Sequence, residues 1–517
     1  MHSFLNSILT YIHGDGLVIL PEMELLLFAL GILIFDFLLT KKEKYFNAIL
    51  ALIAVAFSGY GVYMQIQRYN PLRGDPAAPP GLFGFRDTVL VDGFFIVFAI
   101  LFLAATALVI LLSIRYMDIE REQEGEFYAL ILFACIGMMF MASGIDLLVL
   151  FLGLETMALS FYVLSGFLRA NKRSNEAAMK YVLLGAFSSG ILAYGFSLLY
   201  GASGSAVEYG GRPSTHIGDI ARALEWRLEH TLANGQIDWL VVLAFVSVAA
   251  GLFFKIAAVP FHQWAPDVYE GAPTPITAYV SVASKTASFA FLLRLMNPYY
   301  GLFGLTQPTW VYAVAGVAVA SLTWGNLAAL TQNNIKRLLA YSSISHVGYI
   351  LLGVVAANDT GMAGIMYYLI AYGFMTIGAF AVVIVMRQRG LIGDTLDDLD
   401  GLYQRNPAAA LLLLIFMLSL AGIPPTAGFM GKYFIFQSLI ETHHPVLAVF
   451  AALYIVPALY YYFRVVVHAW MRSPGEVPAP QISSGQALAL GVALFVTLAA
   501  GLYPEPFTRL ARYAFGQ

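Results

Sequence analysis

Long apolar runs alternate with short polar ones along this chain, and the runs have the length of a bilayer crossing. About 20 apolar residues in α-helical form span the hydrocarbon core. Fourteen such segments are predicted, near residues 17–39, 46–66, 90–114, 126–143, 146–168, 177–200, 238–258, 273–296, 309–330, 336–356, 362–386, 407–440, 445–470 and 484–503. The twelfth is too long for one crossing, and AGIPPTAG, with Pro424 and Pro425, splits it into two predicted half-helices. The seventh carries Lys255 about one turn before Pro260 and then runs into VPFHQWAPDVYEGAPTP. Broken helix at membrane depth is tolerated only where protein buries it or where it lines a wet cavity.

Composition agrees with this pattern. The 517 residues are 60% hydrophobic and only 11% charged, and mean hydropathy is +0.75. A soluble protein carries roughly 25% charged residues. The chain therefore reads as an all-α polytopic membrane protein in contact with lipid. The net charge of −3 says nothing about partners, but no basic tract of nucleic-acid type appears and no nucleic acid is expected. The single cysteine, Cys135, lies in FYALILFACIGMMFMAS. It excludes disulfides, thiolate zinc sites and cysteine-ligated iron–sulfur clusters within the chain, and reads as a small core residue. The first segment, LVILPEMELLLFALGILIFDFLL, has no small-residue cleavage site and reads as a helix, not a signal peptide.

Lysine and arginine asymmetry sets an orientation. With the N-terminus outside, the short inside loops hold Lys41, Lys42 and Lys44; Arg115 and Arg121; Arg169, Lys172 and Arg173; Lys336 and Arg337; Arg387, Arg389 and Arg405; Arg464 and Arg472. The short outside loops near 144, 357–361 and 441–445 hold none. Fourteen spans then leave both termini outside. DIARALEWRLEHTLA has helical apolar spacing and lies either on the membrane surface or in a small soluble helix.

A faint internal repeat is visible. AAMKYVLLGAFSSGI in the sixth segment lines up with GIMYYLIAYGFMTIG in the eleventh, and GLETMALSFYVLSG in the fifth with AYSSISHVGYILLG in the tenth. An offset of five helices inverts one copy relative to the other. The expected organisation is an N-terminal three-helix segment (1–120), a first repeat of helices 4–8 (121–300), a second of helices 9–13 (301–475) and a last helix (476–517), with helices 7 and 12 discontinuous.

Ionisable residues inside these spans are the candidate chemistry, because a charge in hydrocarbon is costly and marks an ion path by default. Lys255 sits at a helix break, Lys285 mid-helix in ITAYVSVASKTASFAFLL, Lys432 in TAGFMGKYFIFQSLI, and Glu155 about ten residues into its helix. Glu155 is either a buried protonated carboxyl or a counter-ion for a lysine; the lysines favour the second. Lys180 either takes part in the path or snorkels to the surface. His346, in SSISHVGYILL, reads as a relay or as a hydrogen-bonded core histidine. His262 serves proton uptake or braces the loop after the first break. There is no P-loop and no dinucleotide fingerprint. Few histidines lie in the spans to hold haem, and GDG near residue 14 reads as packing.

At these residues the chain resembles the antiporter-like membrane subunits of respiratory complex I, which are related to multisubunit cation/proton antiporters. The resemblance runs over nearly the whole chain and is closest to the N-type. It rests on LPEMELLL, FLGLETMALSFYVL, AAMKYVLLGAFSSG, FFKIAAVPFHQWAPDVYEGAPTPITAYVSVASKTASF, NIKRLLAYSSISHVGY and GIPPTAGFMGKYFIF. Lys432 stands where the M-type carries a glutamate, and the long lateral helix of the L-type is not expected. The resemblance implies a Glu155–Lys255 pair and a relay through Lys285 and His346 to Lys432. It implies no cofactor in this chain, flavin, iron–sulfur clusters and quinone belonging to partner subunits. It also implies neighbouring antiporter-like subunits as partners and a bacterial cytoplasmic membrane. The competing expectations are a subunit of a cation/proton antiporter without redox partners and a stand-alone transporter of a small solute.

Overall fold

The computed structural model of the chain describes residues 15–40, 43–72, 79–122, 124–204, 211–233, 237–296, 308–387, 393–474 and 479–516. Lys41, Lys42 and Arg389 of the charge count lie outside the described residues, as does Gly14 of GDG. Helix dominates: α1 (Leu20–Asp36), α2 (Phe46–Tyr69), α3 (Gly93–Glu120), α4 (Gly125–Ser143), α5 (Leu147–Ser165), α6 (Lys172–Ser203), α7 (Trp239–Ile256), α8 (Trp264–Gly271), α9 (Thr274–Met296), α10 (Pro308–Ala329), α11 (Ile335–Ala356), α12 (Asp359–Met386), α13 (Pro407–Ala421), α14 (Ala427–Glu441), α15 (Pro445–Met471) and α16 (Ser484–Leu502). Twelve helices among the described residues are long and apolar enough to cross a membrane.

The starts of these helices follow from local chemistry. An apolar helix leaves its first N–H groups unbonded, and a short polar side chain before it repairs this. Asp92, Asp146, Asn334 and Asn406 each accept from an N–H of the turn that follows. Where bonding cannot continue, the helix stops. α7 ends at Ala257 with φ 59°, and α13 ends at Gly422 with φ 85°. At Gly422 the left-handed backbone suits glycine. α13 and α14 cross so closely that a Cβ on Gly428 would lie 1.8 Å from the Ser419 carbonyl oxygen.

The bundle is built around α9, α11 and α12, which are almost wholly enclosed. Helix α4 packs on α5, α6 on α7, α10 on α11, and α12 on α14, while α3 and α16 flank α12. One tie crosses the interior at an end of the bundle. Arg294 of α9, fully buried, forms a fork on Asp92 at 2.7 and 3.0 Å and donates to Ala142 O at 2.6 Å. Asp92 also caps α3, so three elements meet at one ion pair.

Several features differ from the expectations. The sixth segment begins earlier, at Lys172, so Lys180 lies about two turns into it. The thirteenth consists of two helical pieces, Pro445–Leu453 and Ile455–Met471. The eighth contains a widened turn, Val280–Ser284, with i→i+5 bonding directly before Lys285. DIARALEWRLEHTLA, by contrast, is helical as its spacing predicts, within Ile217–Ala233. A two-stranded hairpin, Leu82–Gly84 with Val89–Val91, precedes α3. Lys336, counted above with the solvated loop charges, is buried, because α11 already begins at Ile335 and turns it inward.

Candidate functional site

The three lysines singled out from the sequence are all buried, and all lie where a helix is interrupted. A charged lysine at the centre of a membrane helix costs about 3 kcal/mol on insertion scales. Among the described residues none of the three makes an ion pair that would offset this cost. Neutral oxygens, aromatic faces and helix ends surround them instead.

Lys255 occupies the last turn of α7, where the helix dipole favours a cation. Its Nζ meets Tyr162 Oη at 3.3 Å and lies 5.7 Å from the centre of that ring. Tyr162 comes this close because α6 has a glycine opposite it: a Cβ on Gly185 would fall 2.0 Å from Tyr162 Oη. Tyr181 packs edge-on against Tyr162 and stacks on Trp264. Trp264 Nε1 in turn donates to Phe254 O at 2.8 Å, a carbonyl that also accepts from the Ala257 N–H where α7 ends.

Glu155 does not pair with Lys255 in this conformation. It is half-buried on the flank of α5, and its Oε1 has no hydrogen-bond partner. Tyr162, two turns further along the same helix, takes the lysine contact. The field of Glu155 nonetheless reaches both Tyr162 and Lys255. The pair implied by the resemblance is thus open: neighbours in field, not in contact.

Lys285 directly follows the widened turn of α9. Its Nζ donates to Ser343 Oγ of α11 at 2.6 Å and lies 5.8 Å from the Tyr269 ring. On the same stretch of α9, Ser281 Oγ and Tyr372 Oη are 3.1 Å apart. His346 sits beyond, one helical turn from Ser343. Its Nδ1 meets Tyr368 Oη at 2.8 Å and its Nε2 meets Tyr462 Oη at 3.1 Å, with the Tyr372 ring 5.1 Å away. Tyr462 also bonds Ser342 Oγ. Both ring nitrogens therefore face hydroxyls, which can donate or accept.

Lys432 closes the second break. It lies in α14 but reaches back to α13, where its Nζ donates to Ala421 O at 2.8 Å. That carbonyl is at the negative end of the α13 dipole. The Tyr349 ring lies 4.8 Å from Nζ. A Cβ on Gly422 would sit 2.9 Å from Lys432 Cδ, so the glycine that ends α13 also makes room for the lysine stem.

Lys180 and His262 stand apart from this line. Lys180 is partly exposed and pairs with Glu176 at 2.8 Å and Asp267 at 2.7 Å. Arg337 bridges Asp267 at 2.6 Å and Glu270 at 3.0 Å. These groups and Arg173 line a polar cleft of about 200 Å³. Burial alone would raise the Asp267 carboxyl, but hydrogen bonds from Lys180 and Arg337 outweigh it and hold the group below its ordinary value. Under the cleft, the buried Lys336 donates to Ala272 O at 3.0 Å, the residue that ends α8. His262 is buried in the turn after α7, edge-on to Trp324, with its Nδ1 unbonded.

Sequence reasoning missed Lys336 and the tyrosines that contact the line. The signal was faint: GIMYYLIAYG and PALYYYFR are rich in tyrosine, but an aromatic run in an apolar helix is ordinarily packing.

Residues 144–456 match the family described as NADH:quinone oxidoreductase/Mrp antiporter, TM. The chain is 50% identical over 507 residues to NADH-quinone oxidoreductase subunit N 2 of Solibacter usitatus, covering 98% of each chain. Its fold is similar to a chain of respiratory complex I from Thermus thermophilus solved with bound aureothin, with TM-score 0.75, 30% identity and 95% of this chain and 99% of that one covered. A chain of the Mrp complex from Dietzia sp. DQ12-45-1b shares the fold alone, with TM-score 0.76, 21% identity and 95% and 96% coverage. Match and fold together assign this integral membrane chain to the subunit N family of NADH-quinone oxidoreductase, the antiporter-like proton-translocating subunits of complex I.

Proposed function

We propose that this chain moves protons along Glu155, Lys255, Lys285, His346 and Lys432, as a non-redox subunit driven by quinone reduction in partner subunits. The observation that carries the reading is the environment of the three lysines: buried, unpaired by any acid among the described residues, and each at a helix interruption. A lysine with a carboxylate beside it keeps its proton, and one in neutral surroundings gives it up more readily. Closing and opening the Glu155–Lys255 pair is then the switch, with Tyr162 taking the ammonium in the open state. Ser343, Tyr368 and Tyr462 supply the hydroxyls between Lys285 and His346, and neutral imidazole can accept at one nitrogen while donating at the other.

The proposed architecture has fourteen crossings, both termini outside, in a bacterial cytoplasmic membrane. Two inverted five-helix repeats supply the two breaks. The pairing of α4 with α5 and of α6 with α7 recurs as α10 with α11 and α12 with α14, in support. Flavin, iron–sulfur clusters and quinone stay with partner subunits, among them neighbouring antiporter-like chains. Membership of a cation/proton antiporter without redox partners is the alternative, supported by likeness of fold. Purification in mild detergent tests the choice: flavin- and iron–sulfur-bearing subunits should accompany this chain. Isolation with exchanger subunits alone would reverse it.

A further inference from the structure

Each buried lysine of the line lies over a tyrosine ring, but the rings are used differently. Lys255 meets the Tyr162 hydroxyl at 3.3 Å as well as the ring at 5.7 Å. Lys432 lies over the Tyr349 ring at 4.8 Å, nearer than Lys255 or Lys285 at 5.7 and 5.8 Å from theirs. The Tyr349 hydroxyl is committed elsewhere. It donates to Ala451 O at 3.0 Å, in the helical piece Pro445–Leu453.

The ring is fixed by its neighbours. Tyr349 is 1% exposed. The Tyr368 ring lies nearly parallel to it, at 21° with centres 6.3 Å apart, and the Phe436 ring tilts against it at 6.3 Å. Lys432 and Phe436 are one turn apart on α14, so both reach the same ring. Gly431 keeps the helices close, since a Cβ there would fall 2.9 Å from Tyr368 Cδ2. An aromatic face carries negative charge and attracts a cation within about 6 Å of its centre, more strongly where water is excluded. A neutral amine has no charge for that face to attract.

We propose that Tyr349 is a positioning residue for proton transfer: its ring seats the Lys432 ammonium and so sets how readily Lys432 takes up and holds a proton. Tyr349 passes no proton itself, because its O–H is given to Ala451 O. Tyr368 behind it bonds His346 Nδ1 at 2.8 Å, so the pair supplies one ring to the cation and one hydroxyl to the relay. α14 packs on α11, α12, α13, α16 and Pro445–Leu453. The titratable groups toward Lys432 are Tyr349 and His346 from α11 and Tyr368 from α12; α13, α16 and Pro445–Leu453 contain none. On α14 itself, Tyr433 and Glu441 are exposed.

The seat rests on the proton-translocation reading. Its test is the pH dependence of proton pumping in membranes, per assembled complex. Tyr349→Leu removes the face, so Lys432 loses its proton at lower pH and the alkaline limb should move about one pH unit toward acid. Tyr349→Phe keeps the face and should leave the limb near its wild-type position. A packing role alone lowers the amount of assembled complex and does not move the limb. An unmoved limb in Tyr349→Leu overturns the proposal, and so does an equal shift in Tyr349→Phe, which would assign the effect to the hydroxyl. If Tyr349→Leu does not assemble, a ring-fluorinated phenylalanine at position 349 replaces it, nearly keeping the shape while weakening the negative face. A limb that then coincides with that of Tyr349→Phe overturns the proposal. Lys432→Met, measured alongside, separates the two readings. Wild-type pumping there overturns the relay and the seat with it; lost pumping there, with an unmoved limb in Tyr349→Leu, overturns the seat alone.

Discussion

Replacing Lys432 with arginine keeps the charge and removes the ability to lose it. The two roles open to Lys432 then predict opposite results. As an anchor it ties α14 to the end of α13 through Ala421 O at 2.8 Å and Leu420 O at 3.5 Å. A guanidinium has five donors and could serve those carbonyls at least as well. As a proton carrier, the side chain must release its proton in every cycle. Arginine titrates at least about 2 pH units above lysine, which adds roughly 2.7 kcal/mol to that release and slows it about a hundredfold. A second effect must be separated from this one. The lysine stem already lies where a Cβ on Gly422 would come within 2.9 Å of it, so the larger head group will be overpacked. Overpacking costs about 1–3 kcal/mol and lowers the amount of folded chain, not the rate of each assembled copy. The assay is therefore proton pumping in membranes, normalised to assembled complex, for Lys432→Arg, Lys432→Glu and Lys432→Met. Glutamate takes up and releases a proton, so the expected order is lysine, glutamate, then arginine or methionine. Pumping at the wild-type rate in Lys432→Arg would refute the relay and leave the anchor.

Lys255→Met should impair pumping and quinone reduction together while the complex still assembles, and Glu155→Gln should do the same more mildly; normal proton-to-electron stoichiometry in Lys255→Met would remove it from the path. Asp92→Asn should destabilise the chain by about 3–5 kcal/mol, because it strips the partner from the buried Arg294 guanidinium; unchanged abundance and melting of the complex would count against that ion pair. The Asp267 carboxyl titrates below its ordinary value of 3.8, so its contribution is complete above that pH and is lost only as pH falls through the lower, folded-state value. The Asp267 contribution to thermal stability should be flat from about pH 8 to 5, and Asp267→Asn should blunt the acid-side fall; a loss centred near neutrality that Asp267→Asn abolishes would contradict this. Reporter fusions at Asn171 and Ser203 should read cytoplasmic and external, and the opposite readings would invert the proposed topology.

The membrane class and most helix positions were legible because they depend on local quantities. Length of an apolar run, a proline that cannot donate, and an Asp or Asn ahead of a run act within a few residues of themselves. The break at Pro424 and Pro425 was visible for that reason, and so were the buried lysines, which are conspicuous in an apolar sequence wherever they point. The resemblance added a role for each.

What the sequence could not supply was everything that depends on how one helix is turned against another. Lys336 looked like a loop charge beside Arg337, yet one faces Ala272 inside and the other faces Asp267 and Glu270 in a polar cleft. Glu155 and Lys255 were expected in contact, and the tertiary packing puts Tyr162 at the lysine instead. Tyr368 and Tyr462 look like packing along their own helices and become ligands of one imidazole only when α12 and α15 converge on α11. A side chain's burial and partner are set by the rotation and crossing of helices far apart in the chain. The sequence by itself determined that charges must lie buried in this membrane protein, and only the packed structure decided which oxygens would face them.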